Sequence, residues 1–266
     1  MATDNSTYSL AGRAALVTGA GMGIGRAIGE SLAARGAAVV FHASHSIAGA
    51  QEAADAVTAA GGTAFALQAD LQSSDNARRL VDEAAERLGR LDILVNNSGI
   101  TRSVPFTETT EETYDEVFNI NIKAMFFAAQ RAVPHLLKGT GPCILNITSV
   151  HGFGGIPNHA AYAATKGAII GFTRELAVEL SAVKIRVNAI GPGLIEVPRY
   201  FDNPAYSTEE GNTRVPIGRV GKPDDVGDVA AFLCSDEARF VTGQVLYVDG
   251  GSTAAVAIPY PHRKDA

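Results

Sequence analysis

Gly19-Ala20-Gly21-Met22-Gly23-Ile24-Gly25 is a glycine-rich turn between a short apolar run at 14–18 and an amphipathic helical pattern at 24–35. Glycines in such a turn let the backbone approach a phosphate, and the N–H groups and dipole of the following helix attract anions. The spacing is G-x-x-x-G-x-G after Thr18, whereas the common G-x-G-x-x-G pattern would need its third glycine at position 24. The place of the turn, directly after the first strand, predicts a dinucleotide site rather than a simple tight turn.

Beyond this turn, apolar runs of strand length alternate with longer helical patterns. Parallel strands are joined by crossover helices and are buried on both faces, so this alternation predicts an α/β fold. We expect a single-domain, Rossmann-like, doubly wound parallel sheet with helices on both faces, over residues 1–266. Predicted strands lie at 14–18, 38–41, 63–68, 91–95, 143–148, 185–190 and 245–248, and predicted helices at 24–35, 47–60, 73–88, 110–137, 160–180 and 223–233.

Composition excludes several classes of function. The chain of 266 residues has a net charge of −6 and no basic run, so no nucleic-acid partner is expected. Its two cysteines, Cys143 and Cys234, predict neither a disulfide framework nor a zinc site, and no metal is expected elsewhere. Residues 1–9 lack the pattern of a signal peptide, and no apolar run approaches the ~20 residues that span a membrane. We therefore expect a cytoplasmic protein without a membrane partner.

Tyr162 and Lys166 lie four residues apart in a helical pattern, and so on one helix face, one turn apart. A nearby ammonium group favours the phenolate and lowers the pKa of a tyrosine from its ordinary value of about 10. Such a phenol can exchange a proton near neutral pH, which predicts general acid–base chemistry. A surface tyrosine beside a surface lysine is the alternative that these two residues alone leave open.

Five motifs, taken in order, resemble the short-chain dehydrogenase/reductase family in its compact form. They are Thr18-Gly19-x-x-x-Gly23-Ile24-Gly25, Asn96-Asn97-Ser98-Gly99, Asn121, Ser149 and Tyr162-x-x-x-Lys166, with Ser149 thirteen residues before Tyr162. The resemblance runs from about residue 10 to residue 251. It implies an NAD(P)-dependent oxidoreductase that interconverts an alcohol and a carbonyl.

The resemblance implies a role for each catalytic position. Tyr162 resembles the catalytic acid/base, and Lys166 would lower its pKa and hold the hydroxyls of the nicotinamide ribose. Ser149 would hydrogen-bond the substrate oxygen and stabilise charge there. Asn121, inside the predicted helix at 110–137, would hold a water that links Lys166 to solvent.

The resemblance also implies the cofactor contacts. Asp70 would meet the adenine amine with Leu71 beside it, and Ser98 replaces an alanine of the family in the turn after the fourth strand. Backbone groups of Ile195 would bind the carboxamide, although Val197 stands where the family often has threonine. The predicted cofactor set is Gly19, Gly21, Met22, Gly23, Ile24, His42, Ser44, His45, Asp70, Leu71, Asn97, Ser98, Gly99, Tyr162, Lys166, Pro192, Gly193 and Ile195.

The segment that ends the second strand bears on the choice between NAD and NADP. Enzymes that prefer NAD usually place Asp or Glu there to bind the ribose 2′-hydroxyl. Residues 40–46 contain no acid, and Ser44, His45 and Ser46 offer donors to a 2′-phosphate. The segment also lacks an arginine, and Met22 stands where NADP enzymes often carry a basic residue. Charge favours NADP over NAD, and use of both stays open.

Residues 194–214 resemble the substrate lid of the family. Its polar and aromatic side chains suit a sugar, a polyol or a small polar ketone better than a long acyl chain. The predicted substrate contacts are Ser149, Phe153, His159 and Tyr200. The alternatives are a 3-oxoacyl-thioester reductase and, from another class, a nicotinamide-sensing protein without catalysis.

The resemblance further implies a homotetramer or a homodimer, with the helices that begin near 110 and 160 at the subunit contacts. The tail at 252–266 is expected to run over the surface or onto a neighbouring subunit.

Overall fold

Seven strands form one sheet in the computed structural model of the chain, which describes residues 8–45 and 47–255. All neighbouring strands run parallel, with Leu16 in the first strand opposite Val40 on one side and Leu94 on the other. The prediction of a doubly wound parallel sheet is confirmed. The strands are β1 (Ala14–Val17), β2 (Ala38–Ala43), β3 (Ala64–Gln68), β4 (Ile93–Asn96), β5 (Cys143–Ile147), β6 (Arg186–Pro192) and β7 (Val245–Val248).

Eight α-helices accompany the sheet in the described part of the chain. They are α1 (Gly23–Ala33), α2 (Ala48–Ala59), α3 (Ser74–Leu88), α4 (Glu111–Phe118), α5 (Ala124–Leu136), α6 (Ala160–Ser181), α7 (Thr208–Arg214) and α8 (Pro223–Cys234). None of them is both long enough and apolar enough to cross a membrane.

The strand order places the candidate site. The sheet reads β3-β2-β1-β4-β5-β6-β7, so the direction of winding reverses between β1 and β4. Ligands of open parallel sheets bind outside the carboxyl ends of the strands at such a reversal. The glycine-rich turn follows β1, the turn at Asn97 follows β4, and Ser149 follows β5 by two residues. Three of the predicted motifs therefore meet at one edge of the sheet.

The core lies on both faces of the sheet because successive residues of a strand point to opposite sides. Ala15 and Val17 pack in a buried cluster with residues of α1, α2 and α8, whereas Leu16 packs in a second cluster with residues of α3, α5 and α6. Each fully buried leucine or valine contributes about 1.5–3 kcal/mol of transfer free energy. Two apolar layers thus hold the edge at which the site is built.

The prediction of one continuous helix at 110–137 is wrong. The structure has two helices, α4 and α5, joined by a wider π-helical turn at Asn119–Lys123. Asn121 lies in that turn, fully buried, and its side chain bonds the loop that follows β4 instead of solvent. Asparagine is a poor residue for a regular helix interior, and single π turns commonly occur at functional sites.

The lid at 194–214 contains a helix that the sequence analysis did not predict. Helix α7 begins after Ser207, whose side chain accepts a hydrogen bond from the Glu210 backbone N–H at 3.2 Å. Ser207 followed three residues later by Glu210 is the sequence signature of a helix start, so the signal was present. The predictions for Ser46 and for tail residues 256–266 fall outside the described residues.

Candidate active site

The glycine-rich turn is held in place from the end of β4. Thr18 accepts hydrogen bonds at its hydroxyl from the backbone N–H groups of Asn97 and Ser98, at 3.0 and 3.1 Å. In return, the Asn97 side-chain amide donates to the carbonyls of Thr18 and Gly19, both at 2.9 Å. Asn97 therefore connects the two strand ends on either side of the reversal. Both protons of its side-chain nitrogen are thus donated within the protein, and this nitrogen supports the turn from below.

Gly25 makes this arrangement possible because no side chain fits there. A Cβ atom at Gly25 would lie 2.3 Å from both the Asn97 Nδ2 atom and the Gly19 carbonyl oxygen. The first turn of α1 can thus lie directly on the turn that precedes it. This crowding also explains why glycine stands at position 25 although its backbone lies in a regular helix.

The N-terminus of α1 has the features of an anion site. Met22 occupies the capping position, makes no capping hydrogen bond with its side chain, and no acidic residue lies in the first turn. Among the described residues, no partner accepts from the backbone N–H groups of Gly21 or Met22. Uncapped N–H groups and the helix dipole favour a phosphate. These residues fit the pyrophosphate of a dinucleotide.

The assignment of His42 to the cofactor needs correction. Its side chain is fully buried, its Nδ1 accepts from the Gly19 N–H at 3.1 Å, and its Nε2 donates to the Ala69 carbonyl at 2.9 Å. Both ring nitrogens are therefore occupied, and the neutral ring with its proton on Nε2 is the form that satisfies both bonds. His42 supports the glycine-rich turn from beneath and has no surface left for a ribose phosphate.

This buried histidine predicts a pH dependence of stability. Burial lowers the pKa of His42 from 6.5 to about 4, so the unfolded chain binds the proton more readily than the folded one. The free energy of unfolding should therefore fall by about 3 kcal/mol as the pH drops from 6.5 to 4. In His42→Gln the free energy of unfolding should not show this decrease of about 3 kcal/mol between pH 6.5 and pH 4. Urea unfolding at a series of pH values across that range measures it. His45→Gln, which changes an exposed neighbour, is the control, and parallel profiles for wild type and His42→Gln would contradict the account.

The adenosine end is lined by the ends of β2 and β3. Ser44 and His45 follow β2 directly, and their carbonyls accept hydrogen bonds from the Gln68 side-chain amide at 3.3 and 3.1 Å. Within residues 8–45 and 47–255 neither side chain makes a hydrogen bond, which leaves both available to a ligand. Asp70 is exposed and caps its own turn by accepting from the Gln72 N–H at 2.9 Å, while Leu71 is buried beneath it.

Ser98 faces a small enclosed space below this region. Its hydroxyl is buried and has no partner among the described residues. The adjoining cavity of about 10 Å³ is also bordered by Thr18 and Asn96. A space of this size is about the smallest that holds one water molecule, and most of the other residues that line it are apolar.

The nicotinamide end is formed by the segment after β6. Gly193 donates its N–H to the Val248 carbonyl at 3.0 Å, and a Cβ atom there would lie 2.7 Å from the Asp249 Cα atom. Ile195 forms an isolated bridge with Gly221 in which the flanking residues make the hydrogen bonds. The backbone N–H and C=O of Ile195 consequently have no backbone partner in the described residues. They are free to bind a carboxamide, as the sequence analysis expected.

The candidate catalytic residues meet where β5 ends against α6. Thr148 donates its hydroxyl proton to the Lys166 carbonyl at 2.7 Å, which fixes the strand end to the helix. Ser149 then begins a short 3₁₀ turn at Val150–Gly152, and its hydroxyl accepts from the His151 N–H at 3.2 Å. One turn of α6 separates Tyr162 from Lys166. The structure brings these three predicted residues together.

Lys166 is almost fully buried. Its Nζ donates to the Ile147 carbonyl at 2.9 Å and lies 5.4 Å from the centre of the Tyr162 ring. Asn121 lies nearby, since a Cβ atom at Gly99 would be 3.3 Å from the Asn121 Oδ1 and 3.6 Å from the Lys166 Nζ. A methyl group at position 99 would therefore press closely on the Asn121 side-chain oxygen and contact the ammonium group. The predicted catalytic set thus shares one small region.

With this geometry established, comparison with known proteins decides the family. The family model described as enoyl-(acyl carrier protein) reductase matches residues 19–253. The chain belongs to the short-chain dehydrogenase/reductase family. The predictions of this family and of an NAD(P)-dependent enzyme are confirmed.

Relatives cover nearly the whole chain. A hydroxynaphthalene reductase-like protein of Metarhizium guizhouense is 42% identical over 94% of this chain and 98% of the relative. A 3-oxoacyl-[acyl-carrier-protein] reductase of Thermotoga maritima is 40% identical over 91% of this chain and 98% of the relative. A solved structure from Beutenbergia cavernae, described as a candidate NAD(P)-dependent gluconate 5-dehydrogenase with bound NADP at low occupancy, is 39% identical with a TM-score of 0.87. The match spans the whole of that solved chain and 94% of this chain.

The pKa of Tyr162 differs from the prediction made from its spacing to Lys166. In this short-chain dehydrogenase/reductase, burial raises the pKa of Tyr162, while a hydrogen bond with Ser149 and the charge of Arg199 oppose the rise. Burial and Arg199 also hold the pKa of Lys166 at about 8, below its ordinary 10.5. The Lys166 ammonium donates to the Ile147 carbonyl rather than to the phenol. Burial of the Tyr162 hydroxyl, which raises its pKa, therefore outweighs the electrostatic attraction that would lower it. Without a ligand, the phenol therefore keeps its proton at neutral pH.

The Asn121 side chain is engaged by the protein. Its amide nitrogen donates to the Ile100 carbonyl at 2.9 Å and to the Thr165 hydroxyl at 3.1 Å, and its oxygen accepts from the Ile100 N–H at 2.8 Å. Thr165 in turn donates to the Tyr162 carbonyl at 2.7 Å. The side chain thus connects the loop after β4 with the catalytic helix. It has one lone pair left for the water that the sequence analysis assigned to it.

Two histidines flank the phenol. The His151 ring lies 5.2 Å from the Tyr162 ring and 5.1 Å from that of His159, which is itself 6.5 Å from Tyr162. His159 was predicted as a substrate contact. His151 was not predicted as a site residue, because its place beside Tyr162 becomes apparent only in the folded structure. Phe153, also predicted, is two-thirds exposed and packs edge-on against Tyr247 at 5.8 Å. The aromatic contacts of Tyr162 are therefore the two imidazoles and not Phe153.

The lid contains a cluster of aromatic side chains. Tyr206 packs against the rings of Tyr200 and Phe201 at 5.2 and 5.6 Å, and its hydroxyl donates to Glu196 at 2.9 Å. Val197 covers the glycine-rich turn, since its Cγ1 lies 3.1 Å from where a Cβ atom of Gly23 would be. The lid therefore adjoins both the anion site and the catalytic residues. Tyr200, a predicted substrate contact, is among the groups that raise the pKa of Tyr162.

Proposed function

We propose that the protein reduces a carbonyl, or oxidises the corresponding alcohol, of a small polar compound such as a sugar, a polyol or a polar ketone. The observation that carries the proposal is the meeting of Ser149, Tyr162 and Lys166 beside the uncapped N-terminus of α1. Tyr162 keeps its proton, which suits it to protonate the oxygen of a carbonyl as that carbonyl is reduced. A nicotinamide dinucleotide, when bound, supplies or accepts the hydride.

The residues of the chain do the rest of the chemistry. Ser149 offers its hydroxyl to the substrate oxygen and stabilises the charge that develops there. Lys166 holds a proton beside Tyr162, with a pKa of about 8 that allows exchange near neutral pH. The lid adjoins the site, with Val197 against the glycine-rich turn. In the oxidation direction Tyr162 must first release its own proton, after which its phenolate accepts the proton of the alcohol oxygen.

The test is turnover of purified protein, followed by the absorbance of the reduced nicotinamide. The panel contains sugars, polyols, small polar ketones and a 3-oxoacyl thioester, each with NADPH and NADH or their oxidised forms. We expect turnover of a polar member of the first three classes. Turnover of the thioester alone would favour the acyl-thioester reductase, the activity named for the Thermotoga maritima relative. Cofactor binding without any turnover would favour a sensing protein.

We further propose that NADP is the preferred cofactor. Residues 40–46 contain no acid, and the side chains of Ser44 and His45 make no hydrogen bond to any other described residue; both observations support this preference. The Beutenbergia cavernae relative was solved with NADP. A 2′-phosphate carries about two negative charges, which an added carboxylate would repel.

Ser44→Asp should therefore reverse the preference. The carboxylate repels the 2′-phosphate and accepts a hydrogen bond from the 2′-hydroxyl of NAD. We expect the ratio of kcat/KM for NADPH over NADH to fall by about 10-fold or more. Ser44→Ala, which adds no charge, is the control and should change the ratio only a few-fold. An unchanged ratio in Ser44→Asp would place the 2′-phosphate elsewhere.

A further inference from the structure

His151 lies in the short 3₁₀ turn that follows Ser149, and its backbone is fixed from two sides. Its N–H donates to the Ser149 hydroxyl at 3.2 Å, and the Gly152 N–H closes the turn on the Ser149 carbonyl at 2.9 Å. A Cβ atom at Gly152 would lie 2.9 Å from both the Lys166 carbonyl oxygen and the Ile170 Cδ1 atom. The turn therefore packs directly on α6, and His151 is held between the catalytic serine and the catalytic helix.

The imidazole of His151 lies against the catalytic phenol. The ring centres of His151 and Tyr162 are 5.2 Å apart, and the two planes meet at 79°, an edge-to-face contact. The ring centre of His159 lies 5.1 Å from that of His151 and 6.5 Å from that of Tyr162. Of the two imidazoles, that of His151 is therefore the nearer to the phenol. A ligand group that bonds its ring nitrogens would lie beside the reacting atoms.

These ring nitrogens have no partner in the protein. Within residues 8–45 and 47–255, no hydrogen bond involves either nitrogen of the His151 ring, and the Nδ1 atom is buried. His42, by contrast, uses both of its ring nitrogens, and His159 donates its Nδ1 proton to the Pro157 carbonyl at 2.7 Å. A buried polar atom without a partner costs about 1–3 kcal/mol. Such an atom beside catalytic residues indicates that a ligand supplies the missing bond.

The electrostatic surroundings of His151 favour an uncharged ligand group. Burial lowers the pKa of His151 below its ordinary 6.5, and the charges of His159 and Lys166 lower it further. At neutral pH the ring is therefore uncharged, with a proton on one nitrogen and a lone pair on the other. A hydroxyl group both donates and accepts, so it matches either nitrogen, whereas a carboxylate only accepts and finds no positive charge on this ring.

We propose that His151 binds a hydroxyl group on the carbon next to the reacting carbon, so that the enzyme acts on α-hydroxy carbonyl compounds and the corresponding vicinal diols. This inference rests on the proposed function and names the substrate class of the same site. The reacting oxygen lies at the hydroxyls of Ser149 and Tyr162, and His151 contacts both of these residues. Its ring thus reaches the neighbouring carbon rather than the far end of a long substrate. Two anchored oxygens fix the orientation of the carbonyl.

The test compares ketones that differ in the place or presence of one hydroxyl. 1-Hydroxybutan-2-one carries it next to the carbonyl, 4-hydroxybutan-2-one carries it one carbon farther away, and pentan-3-one replaces the hydroxyl of the first compound with a methyl group. Wild type, His151→Phe, His151→Gln and His135→Phe are assayed with whichever of NADPH and NADH the wild type prefers. His135 lies on α5, bonds Asp82 at 2.9 Å and serves as the matched control. The Kd for the dinucleotide is measured for each variant by nicotinamide fluorescence.

We expect the ratio of kcat/KM for 1-hydroxybutan-2-one over pentan-3-one to fall by about 10- to 100-fold in His151→Phe. Comparing this ratio between variants cancels the different intrinsic reactivities of the two ketones. The phenylalanine keeps a ring against the phenol, so turnover of pentan-3-one and the Kd for the dinucleotide should stay within a few-fold of wild type. His151→Gln should keep part of the ratio because its amide both donates and accepts. His135→Phe should behave as wild type.

Three results would overturn the inference. An unchanged ratio in His151→Phe would leave a water molecule as the partner of Nδ1. An equal loss of turnover for both ketones would make His151 a structural support of Tyr162. A preference of wild type for 4-hydroxybutan-2-one that disappears in His151→Phe would place the bound hydroxyl on a different carbon.

A binding measurement separates this inference from the proposed function. Butane-1,2-diol and NADPH are both reduced, so together they form a complex that cannot react. In protein labelled with ¹³C at histidine Cε1, the signal of His151 is assigned by its absence from His151→Phe. We expect butane-1,2-diol to shift that signal and butan-2-ol, which lacks the second hydroxyl, to leave it in place. If wild type reduces no compound but shows this difference, the hydroxyl site stands and the proposed reaction fails. Equal responses to the two alcohols would overturn the hydroxyl site whatever the turnover.

Discussion

Tyr162→Phe is expected to lower kcat by about 10³-fold while the affinity for the dinucleotide stays within a few-fold of wild type. The substitution removes only the hydroxyl, and general acid–base catalysis by a positioned side chain contributes about 10²–10⁴-fold. The phenylalanine ring still fills the space beside His151 and leaves the bonds of Lys166 and Thr165 unchanged. Turnover and fluorescence titration of the reduced nicotinamide measure the two effects separately.

Tyr114→Phe is the matched control for that variant. Tyr114 lies on α4, is 45% exposed and stacks on Phe118 at 4.0 Å between ring centres. The same chemical change there should leave kcat unaltered. Turnover by Tyr162→Phe close to the wild-type rate would mean that another group delivers the proton, and His151 or His159 would then be the candidates.

Gly25→Ala is expected to weaken dinucleotide binding by about 100-fold or more and to destabilise the fold by about 1–3 kcal/mol. The added methyl group would lie 2.3 Å from the Gly19 carbonyl oxygen and from the Asn97 amide nitrogen. One of these groups is backbone, so the turn itself must move. Displacement of the turn removes the N–H groups at the start of α1 from their positions around the phosphate. The Kd for NADPH and the urea midpoint measure the two consequences.

Glu30→Gln, in the same helix, is the control for Gly25→Ala. It removes only a surface ion pair between Glu30, which is 41% exposed, and Arg26, which is 28% exposed. Such pairs contribute about 0–1 kcal/mol, so binding and stability should stay near those of wild type. If Gly25→Ala bound NADPH as tightly as wild type, the dinucleotide would not depend on this turn.

The sequence predicted the sheet and the place of the site because both follow from local patterns. Apolar runs and helical periods define the elements, and parallel strands put their carboxyl ends on one edge. Thr18 and Ser149 were named through the resemblance to the family, whose motifs fall at the ends of successive strands. Boundaries differ by one or two residues at most elements, as for β1, where Thr18 lies just beyond the strand.

The remaining differences depend on contacts between distant segments. His42 was predicted as a cofactor contact, but its burial depends on how β1, β2 and the end of β3 meet. The pKa of Tyr162 depends on desolvation, which its spacing to Lys166 does not reveal. The π turn at Asn119–Lys123 depends on the bonds of Asn121 to Ile100, a residue in another loop. These effects become visible only when the segments are placed together.

The most direct test of the proposed reaction is the transfer of deuterium from NADPH to the product. NADPH deuterated at both C4 positions is incubated with wild type and the best carbonyl substrate, and the alcohol is examined by mass spectrometry. The account predicts one deuterium on the carbinol carbon in every product molecule, since the hydride passes directly from the nicotinamide while the proton from Tyr162 goes to the oxygen. An alcohol without deuterium, formed at the same rate, would contradict it.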